Sequence, residues 1–323
     1  MSGATLLLDG GVASAYDIAN ASYDSKSFSV ASQDTVPTDI NFNTDGTKMY
    51  ITGNTNDTVY QYVLSAAWDV STASYDSKSF SVASQETGPN GLFITAAGTK
   101  MFVTGFSGAV YQYTLSTAND ISTASYDSVS LNTSSQETLP TGLTFNTEGT
   151  KLYISGTNTD SIYEYALTTG FDLSTASYNN ASLDVSSQDT NPQGLGFNSD
   201  GTKLFVIGNS SDNVFQYTLS TAFDLSTASY DSVSFSVSSQ DTNPTSIRFG
   251  QAGIKMYITG ITNDTVYQYS TGSAATITYP STVEWPGGTA PTSPAIGETD
   301  VVTFNTRDGG STYQGVLAID GAK

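Results

Sequence analysis

The 323-residue chain has no cysteine and no histidine, and only ten lysines and arginines together. Each absence excludes a kind of chemistry. Without cysteine there is no disulfide and no thiolate nucleophile. Without histidine there is no Ser–His–Asp triad, and zinc sites built from His or Cys are ruled out. Ten cations against 30 acids leave a formal charge of −20. A phosphate backbone needs a basic footprint, so nucleic acid is excluded as a partner. No apolar run approaches the length of a membrane span, and no membrane insertion is expected. The opening MSGATLLLDGG lacks the basic start and long apolar core of a secretory signal.

Charged residues make up only 12% of the chain, while Ser, Thr, Asn and Gly abound and tyrosine reaches 20. Aromatic and β-branched residues are too plentiful for a disordered segment. The mix suits an exposed all-β protein.

The strongest signal is an internal repeat. ASYDSKSFSVASQDTVPTDINFNTDGTKMYITGNTNDTVYQYVLS recurs five times with small changes. Its opening tyrosine stands at Tyr23, Tyr75, Tyr126, Tyr178 and Tyr230, in steps of 52, 51, 52 and 52 residues. The short step arises where Asn54-Thr-Asn-Asp-Thr58 is replaced by Phe106-Ser-Gly-Ala109, which marks that stretch as a loop. Each copy reads as four strands: Ser27–Val30 alternating, Asp39–Phe42 after a proline, Lys48–Thr52 nearly all apolar, and Thr58–Leu64. Gly46 and its four counterparts supply the hairpin turn between the second and third strands.

Four short strands per 50 residues describe a propeller blade, so the expectation is an all-β, five-bladed β-propeller of four-stranded blades. If the serine-rich strand is outermost, the amino-terminal copy (Ser22–Ser32) completes the last blade and hides two sheet edges. A linear solenoid is the rival, but no capping repeats are visible. The expected division is an extension over 1–15, the propeller over 16–273 and a small β attachment element over 274–323. In that last part Thr276–Trp285, Asp300–Thr306 and Ser311–Ile319 read as strands.

Pro192-Gln-Gly-Leu-Gly-Phe-Asn-Ser-Asp-Gly-Thr-Lys-Leu-Phe-Val206 resembles the blade motif of bacterial YVTN, surface-layer-type propellers over about half of each repeat. The resemblance speaks to fold and says little of activity. Those relatives often have seven shorter blades, so none of their sites is carried over. Val283–Val301 and Arg307-Asp-Gly-Gly-Ser-Thr-Tyr313 resemble the carboxyl-terminal segment of marine bacteriophage tail-fibre and virion proteins, over about 40 residues. That likeness implies a structural or host-recognition part of a phage particle and carries no catalytic residue across.

Propeller geometry sorts the loops. Face one should hold Asp34, Glu86, Glu137, Asp189 and Asp241 with Asp57, Asp160, Asp212 and Asp264, and no lysine. Face two should hold the lysines beside its own aspartates, so the uncompensated negative potential falls on face one. Asp34, Glu86, Glu137, Asp189 and Asp241 are candidate ligands for Ca²⁺, the one cofactor their oxygen chemistry suits. The simpler reading is that each acid caps its own turn, since it repeats in every copy. A basic partner surface could also meet these acids.

Before the face-two aspartates stand Tyr16, Trp68, Asn119, Phe171 and Phe223. Trp68, Phe171 and Phe223 could stack on sugar rings, or could pack blade against blade. Phe106 is a departure from the repeat and the fourth aromatic candidate. A hydrolase would need carboxylates that break the repeat. Asp39 is the only inner-strand acid and shows no partner. Glu164 replaces a repeated glutamine (Gln61, Gln112, Gln216, Gln268) and reads as a solvent-facing swap.

These readings add up to a non-enzymatic virion protein, a tail-fibre, decoration or receptor-binding component. It would contact other virion proteins through the carboxyl-terminal element and a host glycan or receptor elsewhere. The alternatives are a secreted or surface carbohydrate-binding propeller and a glycoside hydrolase.

Overall fold

The computed structural model describes residues 3–9, 12–274, 283–286, 288–291, 299–305 and 313–322. Among these, all regular structure is β-strand apart from three-residue 3₁₀ turns. The repeats form five four-stranded antiparallel sheets. In the first, the strands run Pro37–Phe42, Lys48–Gly53, Thr58–Leu64 and Ala73–Ser81, from inside to outside. The outer strand of each sheet therefore comes from the start of the next repeat. The last sheet takes its outer strand, Ser22–Ser29, from the front of the chain. There Val266 stands opposite Phe28 and Tyr269 opposite Tyr23. This is the register of Val59 opposite Phe80 and Tyr62 opposite Tyr75 in the first sheet.

Burial follows position in the sheet. The outer strands alternate between exposed and half-buried residues, as Ser-X-Ser patterns require of a one-sided strand. The third strand of each repeat is buried almost throughout, as in Met49-Tyr-Ile-Thr-Gly53. Its alternate side chains fill the space between neighbouring sheets. Tyr50 of the first sheet packs with Leu92, Met101 and Tyr113 of the second. Tyr257 of the last packs with Ile40, Met49 and Tyr62 of the first. Each such side chain contributes about 1.5–3 kcal/mol by leaving water.

The inner strands Pro37–Phe42, Pro89–Ile94, Pro140–Phe145, Pro192–Phe197 and Pro244–Gly250 touch one another in cyclic order, the fifth meeting the first. Hydrogen bonds tie this inner layer sideways. The Thr38 hydroxyl donates to the Pro89 carbonyl (2.8 Å), that of Thr141 to Pro192 (2.8 Å) and that of Thr245 to Pro37 (2.9 Å).

Outside the repeats, Gly3–Asp9 pairs antiparallel with Thr299–Asn305, which pairs with Tyr313–Ala322, and Val283–Glu284 lies parallel to the latter. The two ends of the chain thus share one sheet. Val12 and Ser14 also pair with Ala274 and Ser273. Within the end sheet the Trp285 ring lies against Gly315 and 6.2 Å from the Phe304 ring. The expected strand Thr276–Trp285 is present only as Val283–Glu284; residues 276–282 lie outside the described set.

Candidate functional site

Face one is assembled from two loops of each repeat. Asp34 is almost fully buried, and its carboxylate joins the loops. Oδ1 accepts from the Val36 and Thr55 N–H groups (2.9 and 3.1 Å), and Oδ2 from the Asn56 N–H (3.0 Å). Asp189 does the same with Asn191, Ser210 and Ser211, and Glu137 with Leu139 and Thr159. Glu86 accepts from Gly88 and Ser107, and Asp241 from Asn243 and Thr262. A Cβ on Gly53 would lie 2.3 Å from the Asp34 carboxyl, so the repeated strand-end glycine makes room for the cap. These five acids are therefore turn caps. Among the described residues no cluster of three or more acids is arranged to hold a metal ion.

The outer acids of face one sit in left-handed backbone, Asp57, Asp160, Asp212 and Asp264 at φ of 49 to 55°, with Gly108 taking the place in the shortened copy. Desolvation, together with neighbouring carboxylates, pushes the carboxyls of Asp160, Asp212 and Asp264 up. Among the described residues no cation offsets them. Every lysine among the described residues is bonded elsewhere, Lys26 to Asp69, Lys78 to Asp120, Lys255 to Asp24 and Lys203 to Asp231. Lys48, Lys100 and Lys151 donate to the carbonyls of Asn119, Phe171 and Phe223.

On face two, Trp68, Phe171 and Phe223 also adopt left-handed backbone, and so does Asn119. Each donates its N–H to the carbonyl of a hairpin glycine, as Trp68 does to Gly46 at 2.9 Å. Their rings are half-buried. Trp68 packs against Phe42 and Tyr257, Phe171 against Phe93 and Phe145, and Phe223 against Phe197. Phe106 differs from these three: the residue is 57% exposed.

Two sequence-based readings are corrected. Asp39 has a partner on the neighbouring fifth inner strand. Arg248 Nη2 lies 3.0 Å from Asp39 Oδ2 and donates to the carbonyls of Leu92 (2.7 Å) and Leu143 (3.2 Å). Its Nη1 donates to those of Leu195 (3.0 Å) and Ile247 (3.1 Å). One guanidinium thus satisfies four inner strands through their carbonyls and the remaining one through its carboxylate. Asp39 also accepts from the N–H groups of Ile40 and Leu92 (both 2.7 Å) and from the Ser246 hydroxyl. Burial pushes its carboxyl up against the pull of Arg248. Both of its oxygens are engaged inside the protein, and neither is presented to a substrate.

Glu164 is likewise not solvent-facing; it is 1% exposed. Its strand is covered on both sides, so alternation does not bring this position to water. Oε2 accepts from the Leu225 N–H (3.0 Å) in the following repeat, as Gln61 Oε1 does from Ile121 (3.1 Å) and Gln112 Oε1 from Leu173 (2.9 Å). The glutamines donate through Nε2 to Asp76 (2.6 Å) and Asp127 (2.9 Å). At the matching place beside Glu164 stands Asn179, which donates to Glu164 Oε1 (2.6 Å). The third sheet has exchanged acid and amide while keeping the bond, and Lys151 neutralises the relocated charge at 2.8 Å.

Two central depressions are formed among the described residues. The one on face two, about 190 Å³, is lined by Phe93, Phe145, Phe171, Phe197 and Phe223 with Asn146 and Asn198. The one on face one, about 240 Å³, is lined by uncharged side chains. Its walls come from positions where the copies disagree. Before the inner-strand proline stand Val36, Gly88, Leu139, Asn191 and Asn243, of which Val36, Asn191 and Asn243 line it. After the third-strand glycine stand Asn54, Phe106, Thr157, Asn209 and Ile261. The sequence signal for this site was that disagreement, at the start of the inner strands and just after the third.

No family model matches the chain, and no curated protein does. Some solved structures resemble it, at low identity. A candidate 6-phosphogluconolactonase from Bacteroides uniformis is 12% identical, over 72% of this chain and 67% of that one, with a TM-score of 0.44. A functionally unknown protein from Desulfotomaculum acetoxidans is 10% identical over 89% and 90%, at 0.44. A β-propeller domain from Myceliophteria thermophila is 11% identical over 69% and 66%, at 0.39. Likenesses at this level assign no activity to the chain. What the structure shows is an all-β repeat fold built from four-stranded antiparallel sheets.

Proposed function

We propose that the five repeat sheets are the blades of a closed five-bladed propeller, and that the protein is a non-enzymatic structural and recognition component of a bacteriophage particle. The pairing of Thr265–Ser270 with Ser22–Ser29 and the cyclic contacts of the inner strands support the blade count. The observation that carries the non-enzymatic reading is the central Asp39–Arg248 pair. The one carboxylate that departs from the repeat at the axis is locked into structure and does not face a cavity.

The particle assignment rests on the likeness of the tail to tail-fibre and virion proteins. The sheet joining both chain ends supports it by providing an element outside the repeat that can contact other virion proteins. The propeller would then display its faces to a host receptor. Placement in a virion or, in the alternative, on a cell surface is part of the same proposal. Mass spectrometry of purified phage particles from a lysate containing this protein tests it. The chain should co-purify with intact particles at a fixed ratio to the major capsid protein. Its recovery only in the soluble fraction would reject the reading.

A further inference from the structure

We infer that the face-one depression is a binding site for a neutral saccharide, with Phe106 as its stacking platform. The inference goes beyond the particle assignment and does not depend on it.

The first observation is a pair of coupled departures from the repeat. In the second copy the loop loses one residue and gains Phe106, and the position before the inner-strand proline becomes Gly88. The structure joins the two changes. A Cβ on Gly88 would lie 2.3 Å from the Phe106 ring, so only glycine lets the ring lie there. The ring rests against Gly88 and the residue remains 57% exposed. An aromatic held in place and displayed to water at the edge of a cavity is suited to the apolar face of a ligand ring.

The second observation is the wall across from it. In the cyclic order of sheets, the second stands opposite the boundary between the fourth and fifth. That boundary supplies Asn191, Gln193, Asn209 and Asn243. The Gln193 amide donates to Asn191 Oδ1 (2.6 Å), and Asn209 donates to Asn243. These bonds orient the amides and leave each pair further donors and acceptors. An apolar platform facing a fan of amides matches a sugar, with C–H groups on one side and hydroxyls on the other.

The third observation is charge. No ionisable side chain lines the depression, while face one as a whole carries uncompensated carboxylates. Anionic ligands are repelled there, and a cation finds no carboxylate inside the cavity. The divergence of the lining from copy to copy means one asymmetric site per chain, not five.

Amide-detected NMR titration of the full chain tests this. The probes are methyl glycosides of glucose, galactose, mannose and N-acetylglucosamine, with glucuronate and choline as charged counterparts. At least one neutral glycoside should give saturable shifts centred on Phe106, Asn209 and Asn243. Phe106→Ala should weaken that binding about tenfold, the loss typical of an aromatic anchor. Phe106→Trp should retain it. Phe106 is exposed, so the unshifted spectrum of the remaining amides verifies that either variant is folded. The proposal is overturned if no neutral glycoside saturates, or if Phe106→Ala binds as well as wild type. Shifts centred on Phe171 and Phe223, or tighter binding of glucuronate or choline than of every glycoside, overturn it too. A negative result from particle mass spectrometry leaves it standing.

Discussion

The outer strands of the five sheets are near copies of one another, and the inner strands are not. Ala-Ser-Tyr opens the outer strand in every repeat, and the acid cap follows in the same place. At the centre the equivalent positions hold Asn41, Phe93, Thr144, Gly196 and Arg248. A frame can be repeated because each outer strand meets the same surroundings. A centre cannot, because five side chains converge on one small volume and compete for it. Differentiation at the axis is where a symmetric frame becomes able to hold one cation, one acid and one displayed aromatic.

That contrast can be tested by disturbing each region in turn. The largest effect should come from the centre. Arg248→Met leaves the Asp39 carboxylate buried without its counter-charge and should cost about 3–5 kcal/mol in a denaturant titration. Adding Asp39→Gly, the residue of the second, third and fourth repeats, should recover part of that loss. If the single and double variants are equally unstable, the pair is not coupled.

A smaller effect belongs to the periphery. Glu164→Gln should cost about 1 kcal/mol, because the Lys151 ion pair is lost and two amides face each other. Glu164→Gln with Asn179→Asp restores the arrangement of the other sheets and should return most of that stability. A double-mutant cycle with no coupling energy would show that the exchange is incidental.

The acid side of the stability profile contrasts the faces. Asp160, Asp212 and Asp264 have folded values raised above the unfolded ones by desolvation and like charge. They take up protons first as the pH falls from neutral, and that relief of repulsion stabilises the fold. Burial also pushes Asp24, Asp69 and Asp120 up, but hydrogen bonds and ion pairs to Lys255, Lys26 and Lys78 outweigh it and hold them low. Their contribution is complete above the unfolded carboxylate value and is lost as the pH falls through the folded values. Melting temperature should therefore pass through a maximum on the acid side of neutral and then drop. A monotonic fall from neutral pH would remove the distinction between the faces.

The smallest effect on stability should be that of Phe106→Ala, within about 0.5 kcal/mol by thermal denaturation, since the ring is mostly in water. A larger loss would place Phe106 in the frame and not in a site.

The frame was legible in the sequence because its signals are local. Turn glycines, strand-opening prolines and capping acids act within about 20 residues of themselves, and five copies let each be read five times. The centre was not legible, since Asp39 and Arg248 lie 209 residues apart and appear once each. No spacing rule links them until the sheets are set in a circle. Glu164 and Asn179 are an intermediate case. One breaks the end of the third copy and the other the start of the fourth, 15 residues apart in one sheet, and reading the two breaks together would have revealed the exchange. Phe106 stood out as a departure, but its coupling to Gly88 needed the backbone path of the shortened loop.

The closing strand also sets an order of events during synthesis. Ser22–Ser29 is made before the rest of the repeats, yet its partner Thr265–Ser270 appears only when nearly all of them have been translated. For that interval the emerging polypeptide carries an unmated β-edge. Its dense serine content keeps that edge wet and discourages pairing with a neighbouring nascent chain. The final sheet then locks at a single late step, so a polypeptide interrupted within the fifth repeat would be left without closure at either end.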